Sequence, residues 1–183
     1  MRYFTKELWA GAQDLETPAD GHDPWNLAFE QYRAQLEALQ PRIPSQVYDF
    51  FAKADVHDGE LLDVRVVDGS RPAPIGKKPR RWRVRTDCPV RVELSLLDAY
   101  DQLIWDLSYK GVRRVLIDYP SAEPLFYTDG LGFSDWGYHE LTDSGDGFLR
   151  HEVLFSSGSI LLFEFQEMQV ASRPRPLPKS KPG

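Results

Sequence analysis

The chain has one cysteine, Cys88, two methionines and four histidines among 183 residues. A lone cysteine excludes an internal disulfide and leaves no cysteine-based zinc site. Apolar residues nowhere run to the roughly 20 that a membrane-crossing helix needs. Behind the cation of Met1-Arg2-Tyr3-Phe4-Thr5-Lys6 there is no apolar stretch of the secretory-signal kind. Glycine-rich phosphate loops, spaced zinc ligands and nucleophile elbows are also missing, and no segment repeats. These absences point to a cytosolic protein without cofactor, whose chemistry no motif announces.

What is present is a core and an uneven charge. With 42% hydrophobic and 13% aromatic residues, the length suits one domain. Net charge is −6. Eight cations between Arg71 and Arg91 face only Asp87, for a net +7, and the tail from Ala171 adds +4, so the remainder carries −17. Such a body repels nucleic acid and membrane surfaces and draws in basic partners.

Asp23 can cap and Pro24 can begin a helix whose Trp25, Phe29, Tyr32, Leu36 and Leu39 form one apolar stripe. Ser45 is placed to cap a second helix through Lys53 that presents Val47, Phe50 and Phe51, and the two make a helical hairpin over residues 23–54. A sheet then fills residues 58–170. Asp58-Gly59 turns into Glu60–Val67, with Leu62, Val64 and Val66 alternating. Val90–Leu97 and Leu103–Tyr109 continue the strand pattern, and Lys110-Gly111 reads as a tight turn into Val112–Tyr119. Gly145-Asp146-Gly147 and Ser157-Gly158 join Trp136–Thr142, Phe148–Phe155 and Ile160–Val170 into a meander. The fold class is α+β: a helical hairpin packed on a mostly antiparallel sheet, as one domain over 1–170. Residues 171–183 read as a disordered basic tail.

The string Met1-Arg2-Tyr3-Phe4-Thr5-Lys6-Glu7-Leu8-Trp9, a His57-Asp58 pair opening a strand, Tyr138-His139-Glu140 and Arg150-His151-Glu152 occur in that order. Together they resemble an uncharacterised bacterial family of unknown function whose members begin with a MKYFTKEW-like string. Small sheet domains of this kind are similar to the immunity proteins of bacterial toxin systems. The resemblance implies a toxin-inhibiting partner role and assigns no residue.

Three histidines have a carboxylate neighbour: His57-Asp58, His139-Glu140 and His151-Glu152. Brought together, His57, His139 and His151 with Glu140 or Glu152 would suit zinc or iron in a metal-dependent hydrolase. Strand registers decide this. A two-residue Ser157-Gly158 turn sets His151 opposite Glu164; a four-residue Asp143–Asp146 connection sets Tyr138 opposite His151 and His139 opposite Arg150, whereas a shift of one sets His139 opposite His151. Adjacent strand residues face opposite ways, so His139 and Glu140 cannot share a site without a bulge. The basic 71–91 segment with Trp82 offers a second alternative, single-stranded nucleic-acid binding.

The leading expectation is a non-enzymatic domain that binds a basic protein. Acidic loop positions Asp98, Asp101, Asp129, Asp135, Glu140, Asp143 and Asp146 would steer the partner, and Trp136 and Tyr138 would anchor it.

Overall fold

In a computed structural model, the described residues are 1–13, 23–69, 90–119 and 132–176. Three helices precede eight antiparallel strands: α1 (Lys6–Gln13), α2 (Pro24–Leu39), α3 (Ser45–Lys53), β1 (Gly59–Asp68), β2 (Val90–Leu97), β3 (Leu103–Lys110), β4 (Arg114–Asp118), β5 (Asp135–Gly145), β6 (Phe148–Phe155), β7 (Ile160–Phe165) and β8 (Glu167–Pro174). The α+β expectation holds.

The Asp23 carboxylate accepts from the Trp25 and Asn26 amides, as a helix N-cap does, and α2 buries Ala28, Tyr32, Leu36 and Leu39. Ser45 is not the cap of α3: Pro44 occupies that position and makes no side-chain bond, its fixed φ of −58° leading the chain into the helix. The helix α1 lies in the opening segment, to which the sequence reading assigns no element, because its eight residues are too few for a clear apolar period.

Strands run in the order β4-β7-β6-β5-β1-β2-β3-β8. Only two residue pairs, Gly59 with Trp136 and Glu60 with Asp135, join β1 to β5. Beyond them α2 lies beside β5, and the Leu141 amide donates to the Tyr32 hydroxyl at 3.1 Å. The other connection between the two halves is a bent ribbon. Residues 103–118 pair with 160–174 along their length, through β3 with β8 and then β4 with β7. The bend falls at Gly111 and Gln166. Gly111 has φ of +63°, and a side chain there would strike Gln166. Lys110-Gly111 is therefore a corner and not a hairpin, and β3 and β4 are not neighbours. The same corner splits the expected Ile160–Val170 strand in two, and residues 171–174, expected in a disordered tail, belong to β8.

Bending the sheet brings β3 against β6, although β5, β1 and β2 lie between them in the strand order. Tyr109 of β3 packs on Phe163 and Phe165 with ring centroids 4.9 Å apart. From α3, Phe50 and Phe51 reach Trp105 and the β5–β6 hairpin. This interior is the main core.

Candidate functional site

Two hairpin turns set what meets what. Asp146 and Gly147 both have positive φ, +54° and +79°, which makes a two-residue turn of the mirror-image kind, and Ser144 bulges out between Asp143 and Gly145. His139 then lies opposite Val153 and Leu141 opposite His151. Neither register read from a four-residue connection is correct. At the next turn, Gly158 at φ +81° closes a three-residue loop, with its amide 2.8 Å from the Phe155 carbonyl. That shifts the register by one, so His151 faces Phe163 and Arg150 faces Glu164.

His139 and His151 are therefore diagonal neighbours on the inner face, a spacing long side chains span. His139 Nδ1 lies 3.2 Å from His151 Nε2, and His151 Nδ1 lies 2.7 Å from the Tyr109 hydroxyl. Donor accounting orders the chain: the buried Tyr109 O–H has no other acceptor among the described residues, so it donates to His151 Nδ1, and His151 Nε2–H donates to His139. Phe51 stacks on His139 at 5.0 Å and meets His151 edge-on at 4.8 Å. Desolvation lowers His139 to about 3, and desolvation with the charge of His139 holds His151 well below the usual imidazole range. Burial keeps the Tyr109 phenol well above its ordinary value. All three groups are neutral at physiological pH, a hydrogen-bonded core network across the bent sheet.

The carboxylates of the two His-Glu dipeptides point the other way. Glu140 and Glu152 face each other across β5 and β6 on the opposite surface, both buried. Like charges so placed need compensation. Glu140 accepts from the backbone amides of Arg2, of Tyr3 at 2.9 Å and of Phe4 at 3.4 Å. Glu152 takes the Met1 amino nitrogen at 3.0 Å. Tyr3, Phe4 and Trp9 then cluster with Trp25, Phe29, Tyr32 and Tyr138. Residues 1–9 are latched to the sheet by two carboxylates and an aromatic stack. Sequence reasoning missed this role, although alternate residues of His-Glu in two paired strands were its signal.

His57 lies beside Trp9 and Tyr138, with its Nδ1 3.2 Å from Asp58. The set His57, His139, His151, Glu140 and Glu152 is thus divided among separate places. Among the described residues, no group of three or more His, Cys, Asp and Glu side chains converges as metal ligands do.

The expected recognition residues divide as well. Trp136 is fully buried, because the bulge at Gly137 turns it inward beside His139. A Cβ on Gly137 would collide with the Trp9 indole and lie 2.7 Å from the Leu154 carbonyl. Tyr138 is half-buried in the aromatic cluster, Glu140 is the latch, and Asp98 is buried as the acceptor of the Gln102 and Leu103 amides at 2.7 and 3.1 Å. Asp98 and Glu140 are not exposed steering groups and Trp136 is not an exposed anchor, because each satisfies a core contact or backbone donors, while Tyr138 is only partly exposed. Asp101, Asp135, Asp143 and Asp146 are exposed, with Asp143 paired to Arg42. Asp129, Cys88, Trp82 and the rest of the 71–89 segment lie outside the described residues, as do 177–183.

Among the described residues two acidic depressions stand at the surface, one lined by Asp63, Glu93 and Asp106 with Arg65, and a second that also carries aromatic side chains. Between α3 and the β2–β3 turn, a groove of about 680 Å³ is lined by Asp49, Asp55, Asp98, Phe50, Tyr100 and Trp105, among others. Lys53 is the one cation among its described lining residues, and it is paired with Asp49 at 2.7 Å. Tyr100, 63% exposed, donates to Asp55 at 2.9 Å. Along this side the chain's own arginines lie on carboxylates: Arg175 on Asp101 at 2.9 Å and Arg173 on Asp106 at 2.8 Å. The Arg175 amide also donates to the Gln102 carbonyl at 2.8 Å, one residue beyond the end of β8.

Comparison with protein-family models, with curated proteins and with solved structures returned no match.

Proposed function

We propose that the chain is a non-enzymatic protein-binding domain that captures a basic segment of its partner in the groove between α3 and the β2–β3 turn. The observation that carries this reading is the acidic, aromatic-lined depression itself, with Tyr100 exposed at its rim. Asp55 attracts cationic side chains, Tyr100 and Trp105 supply flat apolar area, and the captured segment is covered. Arg173 and Arg175 on their carboxylates are an intramolecular pattern for such a contact. In its concrete form the domain is an immunity-like inhibitor in the bacterial cytosol, which occludes the basic cleft of a toxin. Support is physical: His151 is buried and His139 half-buried, bonded to one another and away from the groove, and the groove's charge is acidic.

The test is affinity capture from the native host on immobilised chain, at low and then moderate salt, beside a variant carrying Asp55→Lys and Tyr100→Ala. The expected result is a basic protein held by the parent and lost from the variant, with retention falling as salt rises. Recovery of no basic protein, or equal recovery on both, overturns the reading.

A further inference from the structure

The sheet ends at β8, whose far side meets no other strand among the described residues. The bond from the Arg175 amide to the Gln102 carbonyl fixes how its backbone points. Bonded pairs alternate along an antiparallel ladder, so Arg173, Ala171 and Gln169 turn their amides and carbonyls to β3, and Met168, Val170 and Ser172 turn theirs outward. Pro174, with no amide to offer, stands at an outward position, where an edge strand tolerates proline. Among the described residues no hydrogen bond reaches the outward row.

Open volume lies along that row. The groove walled by Asp63, Glu93 and Asp106, about 670 Å³, touches the consecutive residues Met168, Gln169, Val170 and Ala171. It is lined by Val47, which packs in the core, and by Asp106 and Ser108, which alternate away from the core. A cavity that meets both faces of the last strand passes round its edge. The aromatic-lined groove takes up Val170, Ala171 and Ser172, and Gln46 lines both, so the two are continuous along β8.

We infer that the basic segment of the partner binds as an added strand along β8, its backbone bonded to Met168, Val170 and Ser172. This rests on the groove reading above and specifies how the segment is held. At about 3.3 Å per residue, the edge from Met168 to Ser172 takes up about 17 Å of extended chain. Side chains of the added strand alternate between two surroundings. Toward α3 they meet Val47, Met168 and Val170 and are apolar; on the other face they cross Ala171, whose methyl leaves the way open, toward Asp106, and are cationic. Arg173 already makes that approach to Asp106 from β8 itself at 2.8 Å. Each groove carries three carboxylates against one cation among its described lining residues, Lys53 in one and Arg65 in the other. The surplus favours a basic strand and rejects an acidic one.

The probe is a synthetic heptapeptide alternating lysine and valine, titrated onto the full chain beside two forms methylated on backbone nitrogen, one at the lysines and one at the valines. Only one of these two sets of amides faces β8. The expected result is that the parent peptide binds, that one methylated form binds about tenfold or more weakly, and that the other is unchanged. Hydrogen exchange shows the amides of Met168, Val170 and Ser172 gaining protection in the complex. Val170→Pro, which removes an outward amide and no bond to β3, abolishes binding. No binding of the parent peptide, equal binding of both methylated forms, or no protection gained at those three amides overturns the inference. The groove reading fails separately: a native partner held equally by the Asp55→Lys, Tyr100→Ala variant overturns that reading, whereas a partner lost from it but held by Val170→Pro overturns strand addition alone.

Discussion

Lowering the pH from 8 to 5 destabilises this fold through His139 and His151. Both imidazoles are held neutral, His139 near 3 and His151 well below its usual range, while in the unfolded chain each titrates near 6.5. A histidine whose folded value is depressed contributes stability that is present above the unfolded value and lost as pH falls toward the folded one. At pH 5 the unfolded chain binds nearly one more proton at each site, which costs about 2 kcal/mol per histidine, or about 4 kcal/mol together. That is a large part of the roughly 5–15 kcal/mol typical of a domain. Urea titrations at half-unit pH steps should give a slope of about 2.5 kcal/mol per pH unit between pH 5 and 6. His139→Gln should halve it. Asp106, Asp143 and Glu164, whose carboxyls are held below their usual values by Arg173, Arg42 and Arg150 with Arg113, act in the same direction but at lower pH, so the window isolates the imidazoles. A slope below about 0.5 kcal/mol per unit, or one unchanged by His139→Gln, would refute the neutral hydrogen-bonded network.

Two further predictions address the latch and the bulge. Glu140→Gln leaves one amide oxygen for three backbone donors and turns its N–H₂ toward at least one of them, so it should cost about 2–4 kcal/mol; calorimetry should show a clear fall in melting temperature, and hydrogen exchange should show residues 2–4 losing protection. Gly137→Ala forces a methyl into the Trp9 indole and costs about 2–3 kcal/mol, measurable as a lower melting temperature with an altered near-ultraviolet dichroism of the tryptophans.

Periodicity and turn chemistry in the sequence were enough to determine α2, α3, the β5–β6–β7 meander and the strands from 60 to 109. They work because a helix repeats every 3.6 residues, a strand every 2, and Asp-Gly or Gly-rich links allow positive φ. The sequence also determined that His139 and Glu140 point apart, since alternation in a strand is local. Register was beyond it: one bulged residue at Ser144 and one extra loop residue before Ser159 decide which side chains face each other, and neither leaves a compositional mark. Tertiary structure alone decided the rest. Only the corner at Gly111 brings Tyr109 to His151 from strands far apart in order, and only the docking of residues 1–4 explains why two carboxylates lie opposite each other. Burial of Trp136, Glu140 and Asp98 follows the same rule, because what a side chain touches across the chain depends on long-range closure of the sheet and not on its neighbours in sequence.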